Sequence, residues 1–152
     1  DILRVLQREM KRNGVENHSF FCGRDIVGHK NFKVPIEEAW HCLNESQKGL
    51  SGVETHARLS ITHYKGKTEV NAVTNQPLAG IPGTENGFVV FKLLRSAADA
   101  TDRGKVCIVG RNPDAIWFSG YEDRVIYDEL GLYHDPDELR QQVIGDKIRK
   151  AS

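Results

Sequence analysis

The residues best suited to chemistry cluster between His56 and Asn75, in HARLSITHYKGKTEVNAVTN. Glu69 can act as a general base, His56 as a general acid, and Arg58 and Lys67 as fixed cations. Metal-independent cleavage of RNA asks for this set. A base deprotonates the 2′-hydroxyl, an acid protonates the leaving 5′-oxygen, and cations stabilise the phosphorane between them. No metal or cofactor enters such a scheme, and no zinc-knuckle or HExxH spacing is present. His41-Cys42 are adjacent on an expected helix and point apart, so they do not form a shared ligand pair.

A β-hairpin would hold these groups together. β-Branched residues are dense on both sides of Lys65-Gly66, and the glycine permits a tight turn. With Tyr64 and Lys67 flanking that turn, Ile61 pairs with Val70 and Leu59 with Ala72. Alternation then sends Ala57, Leu59, Ile61, His63, Thr68, Val70 and Ala72 to a core face. His56, Arg58, Ser60, Thr62, Tyr64, Lys67, Glu69 and Asn71 take the other face, with Glu69 opposite Thr62. Cross-strand neighbours lie about 5 Å apart and diagonal ones about 7–8 Å, close enough to cooperate. A plain solvated sheet face has the same composition, because antiparallel sheets commonly leave one face in water.

The flanking elements read as an α+β domain spanning 1–152: N-terminal helices, a central antiparallel sheet built on the 56–75 hairpin, and a C-terminal helix. Residues 1–13 carry Ile2, Leu3, Leu6 and Met10 at helical spacing and stop at Asn13-Gly14. His18–Cys22 is short and aromatic, a strand or a packed loop. Over 35–47, Pro35 suits a first helical position, Glu37 and Glu38 favour the positive helix end, and Ile36, Ala39, Trp40 and Leu43 form a stripe. The stretch 75–87 is a long Pro/Gly loop. Residues 87–95 predict a strand, 105–110 a strand buried on both faces, and 115–118 a further short strand. Asp135, Pro136 and Glu138 open a final helix whose stripe is Leu139, Val143, Ile144 and Ile148.

Lys plus Arg and Asp plus Glu each number 21, so no overall field draws the chain to nucleic acid or an anionic membrane. Residues 53–112 hold eight basic and five acidic side chains, a mildly basic middle. No apolar run approaches the roughly 18–20 residues of a membrane span. The cysteines, Cys22, Cys42 and Cys107, are odd in number and lack a CxxC pair, which favours a reducing, cytoplasmic compartment. The chain begins with Asp1, which fits a processed product or a domain cut from something longer.

The expected function is therefore a metal-independent ribonuclease-like, phosphodiester-cleaving domain, toxin-like or effector-like, with RNA as partner. Its layout of helices before a polar-faced antiparallel sheet is similar to that of small microbial ribonucleases, with no shared residue motif. Two alternatives stand beside it. One is a non-enzymatic adaptor that meets a protein partner or inhibitor through the hairpin face and the 75–87 loop. The other is a cysteine hydrolase using Cys22, which needs a lowered thiol pKa and a histidine base. A strand-to-loop anion site at Gly110-Arg111-Asn112 is a further possibility, with an ordinary tight turn as its plain counterpart.

Overall fold

A computed structural model describes residues 2–23 and 33–133. Among them the chain is α+β, with a six-stranded mixed sheet in sequential order. Helix α1 runs Ile2–Arg12 and α2 runs Ile36–Gln47. The strands are β1 (Ser19–Phe21), β2 (Arg58–His63), β3 (Gly66–Thr74), β4 (Phe88–Ser96), β5 (Val106–Gly110) and β6 (Val125–Asp128). The sheet is not wholly antiparallel: β1 runs parallel to β2, and the other four pairings are antiparallel. The expected C-terminal helix lies outside the described residues.

Alternation gives the sheet one fully buried face. Leu59 and Ile61 of β2, Val70 and Val73 of β3, and Val89, Phe91 and Leu93 of β4 join Ile36 and Leu43 of α2 in one core cluster. Cys107 and Val109 extend it into β5, while Val106 and Ile108 on the other side are only half-buried. The expectation of burial on both faces of β5 is thus corrected. The strand's apolar run therefore reflects β-propensity as much as burial.

The hairpin forms, but in a register two residues away from the expected one. Ile61 pairs with Thr68, Thr62 with Lys67 and His63 with Gly66, and the turn is Tyr64-Lys65. A shift of two keeps Ile61 and Val70 on one face, and both are buried although they are not partners. Beyond Val70 the expectation is corrected: the irregularity between Val70 and Ala72 puts Val73 in the core instead of Ala72, and Ser60 and Glu69, expected on the open face, are buried too. Gly66 explains the displacement. A Cβ there would lie 2.0 Å from the Arg95 carbonyl oxygen, at φ +139°. Its lack of a side chain serves close approach to β4 rather than the turn itself.

The ends of α2 are fixed by polar contacts. Near its start, Glu37 is buried and accepts from Arg111 Nε (2.8 Å), from the Asn112 backbone N–H (2.8 Å) and from the Tyr121 hydroxyl (3.4 Å). Pro35 is the cap residue rather than the first helical one. At the other end Arg4 donates to the Ser46 and Glu45 carbonyls, a cation on the negative helix terminus. Gln7 is the buried residue of α1 and donates to Ser46 Oγ at 2.9 Å. The expected stripe of α1 is corrected accordingly, since Ile2 is 83% exposed and Leu6 is also open. The segment 115–118 is no strand: Trp117 caps a 3₁₀ helix over Phe118–Arg124.

Candidate functional site

Where β2 begins, residues 55–57 run outside the ladder, and the pairing of β3 with β4 is irregular between Val70 and Ala72. Here a cleft of about 490 Å³ opens between the C-terminal half of α2 and the two strands. That volume is in the usual range for small-molecule sites, about 300–1,000 Å³. Trp40, Leu43, Asn44 and Gln47 line it from α2, and His18 lines it from the approach to β1. Thr55 to Leu59 and Glu69 to Asn71 complete it.

Three of the four expected site residues, His56, Arg58 and Glu69, line this cleft, and Lys67 does not. Arg58 Nη1 donates to both carboxylate oxygens of Glu69, at 3.1 and 3.0 Å. The carboxylate side chain is 9% exposed and the guanidinium side chain 54%. Glu69 is opposite Ser60, not Thr62, and Lys92 stands across from it on β4. Lys67 Nζ instead donates to Ser19 Oγ at 2.6 Å and lies 5.1 Å from the Phe21 ring centroid. His56 Nδ1 is 3.6 Å from Glu16 Oε2, on the side away from Glu69's partner. Both carboxylate oxygens of Glu69 already accept from Arg58 Nη1, so Glu69 is engaged with the guanidinium rather than presented alone to a substrate.

Sequence patterning did not single out the amides. Asn44 Nδ2 donates to the Trp40 carbonyl at 2.8 Å, and Gln47 Nε2 donates to the Ala57 carbonyl at 2.9 Å and to Gln7 Oε1 at 3.1 Å. A carbonyl only accepts, so each amide must present its nitrogen there, which leaves Asn44 Oδ1 and Gln47 Oε1 without a donor among the described residues. Their i, i+3 spacing on α2, with Trp40 one turn earlier, was the available signal.

The other candidates resolve differently. Burial pushes the Cys22 thiol up to about 11, the opposite of what a nucleophile requires. Cys107 is buried, and its thiol is raised by burial and by Asp128. Cys42 is exposed. Arg111 is committed to Glu37 and Asn75, so the strand-to-loop anion site gives way to a structural tether. His63 sits on the core face against Tyr64 and Phe118, with its Nδ1 buried and unpartnered rather than hydrogen-bonded. Burial first, and Lys65 second, lower its pKa to about 4. Among the described residues no cluster of three His, Cys, Asp or Glu side chains forms a metal-binding group, and no helix is long and apolar enough to cross a membrane.

Comparison with known proteins points away from nucleases. The chain is 30% identical over 125 residues to a protein of Aquifex aeolicus (strain VF5) described as "Putative L-lysine 2,3-aminomutase". The alignment covers 82% of this chain and 30% of that relative, so the chain spans under a third of the relative's length. No family model matches the chain, and no solved structure matches it. This likeness overturns the ribonuclease-like, toxin-like expectation, together with its nuclease and RNA-binding chemistry. The cysteine-hydrolase alternative falls with it, and also on the raised Cys22 thiol.

Proposed function

We propose that this chain is a section of an aminomutase-type enzyme, one that moves an amino group between neighbouring carbons of an amino acid such as L-lysine. The observation that carries this reading is the 30% identity sustained over 125 residues, which takes in most of the chain rather than one short motif. The cleft supports it chemically. It offers one accessible guanidinium, open amide oxygens and an indole, groups suited to a small charged metabolite.

Within such an enzyme the cleft residues bind and orient. Glu69 fixes Arg58 in place, and α2, tethered at both ends, supplies a rigid wall. The activity is tested with extract of cells overproducing the protein, given L-lysine carrying ¹⁵N at C2. A shift of the amino group to the adjacent carbon produces 3,6-diaminohexanoate with the label at C3, resolved from lysine by mass spectrometry after chromatography. Unchanged label position in lysine and across a panel of other α-amino acids would refute the proposal.

A further inference from the structure

The geometry points to the cleft between α2 and the β2–β3 strands as a binding site for a free amino acid, with the carboxylate on Arg58 and an ammonium on the α2 wall. The choice of an amino acid rests on the aminomutase reading. The demand for two opposite charges comes from the cleft alone.

Arg58 brings the carboxylate end. Only its Nη1 is engaged, by Glu69, while Nε and Nη2 make no hydrogen bond among the described residues. Glu69 thus acts as a positioning residue that orients the guanidinium and leaves donors free, and a guanidinium presents paired N–H groups that match a carboxylate. Its pairing with Arg58 also keeps the site from being a simple anion trap, since the local charges cancel until a zwitterion arrives.

The opposite wall is built to accept. Asn44 and Gln47 line the cleft, and because their nitrogens bond to the Trp40 and Ala57 carbonyls, Asn44 Oδ1 and Gln47 Oε1 are left to accept. An ammonium carries three donors and no acceptor, so carbonyl oxygens without donors suit it. Trp40 lines the same wall, and an indole is the best of the aromatic partners for a cation. Neither an uncharged ligand nor a plain anion would use both ends.

The test is a ¹H–¹⁵N NMR titration of the full chain with L-lysine, hexanoate (no ammonium) and 1,5-diaminopentane (no carboxylate). Lysine is expected to give saturable shifts at the Trp40 indole N–H and at the Asn44 and Gln47 side-chain amides, with each single-charge analogue at least tenfold weaker. Arg58→Gln should weaken lysine roughly ten- to a hundredfold, the range for losing hydrogen bonds to a charged group, and should not weaken diaminopentane, because Glu69 is then left without its cation. Asn44→Ala, at an exposed position that perturbs the fold little, should weaken lysine several-fold and leave hexanoate unchanged. Lysine binding insensitive to both substitutions, shifts confined to other surfaces, or no saturation would overturn the site. Cleft binding without any amino-group shift in the extract assay would instead keep the site and overturn the aminomutase reading. Amino-group transfer unaffected by Arg58→Gln, with no cleft shifts, would keep that reading and overturn the site.

Discussion

Replacing Glu37 by alanine removes the acceptor that joins the start of α2 to the end of β5. Its carboxylate side chain is 2% exposed, and the Arg111 side chain that it pairs with is 20% exposed. The substitution strands a mostly buried guanidinium and the Asn112 backbone N–H, and it also takes the nearest acceptor from the Tyr121 hydroxyl. Breaking one side of a buried pair typically costs about 3–5 kcal/mol, mainly as the desolvation of what remains. For a domain of this size each kcal/mol lowers the melting temperature by roughly 2–4 °C, so a fall of about 6–20 °C is expected. Glu37→Gln keeps an acceptor for Asn112 but loses the charge, and should cost about 1.5–3 kcal/mol. In the double variant Glu37→Leu, Arg111→Met neither charge is left alone, so the loss should be smaller than the sum of the two single losses. Urea unfolding followed by circular dichroism measures these proteins, the wild type and the single variants Glu37→Leu and Arg111→Met. A Glu37→Ala variant within 1 kcal/mol of the wild type would refute the tether, as would strict additivity in the double variant.

His63 supplies a pH prediction. Its folded pKa of about 4 lies below its usual 6.5, so between those values the unfolded chain binds more protons and stability falls as the pH is lowered. Stability should be flat above pH 6.5, as far as this group is concerned, and the drop towards pH 4 should be shallower in His63→Phe. Identical acid limbs in the two proteins would show that His63 is not the titrating group. Gly66→Ala should destabilise by more than the roughly 1–3 kcal/mol of an unfavourable backbone region, because its Cβ meets the Arg95 carbonyl. Gly49→Ala, also at positive φ but with nothing within 4 Å, should cost only about 1–2 kcal/mol. Equal melting temperatures for the two glycine variants would remove close approach as the reason for Gly66.

Local pattern carried far in this chain where one residue's neighbours in sequence decide its state. The helix over 36–47, the strands over 88–96 and 106–110, and the hairpin's core residues as far as Val70 follow from periodicity, since side-chain direction repeats every two or 3.6 residues. The gathering of His56, Arg58 and Glu69 at one cleft was also legible, because all three belong to one hairpin. Register was not, since sliding by two leaves the alternation unchanged, and the deciding contact of Gly66 is with Arg95 on β4, remote in sequence.

The sequence by itself determined the α+β character, the hairpin's core residues as far as Val70, and the identity of the charged groups near the cleft. Only the tertiary structure decided what those groups can do. Lys67 of β3 turned to Ser19 on β1, a strand beyond β2 whose parallel pairing pattern could not place, and Glu69 was committed to Arg58. Asn44 and Gln47 became acceptors only because carbonyls of the chain occupy their nitrogens. Protonation, hydrogen-bond direction and accessibility depend on what lies within about 3–4 Å in space, and that company is assembled by chain crossings, not by spacing along the chain.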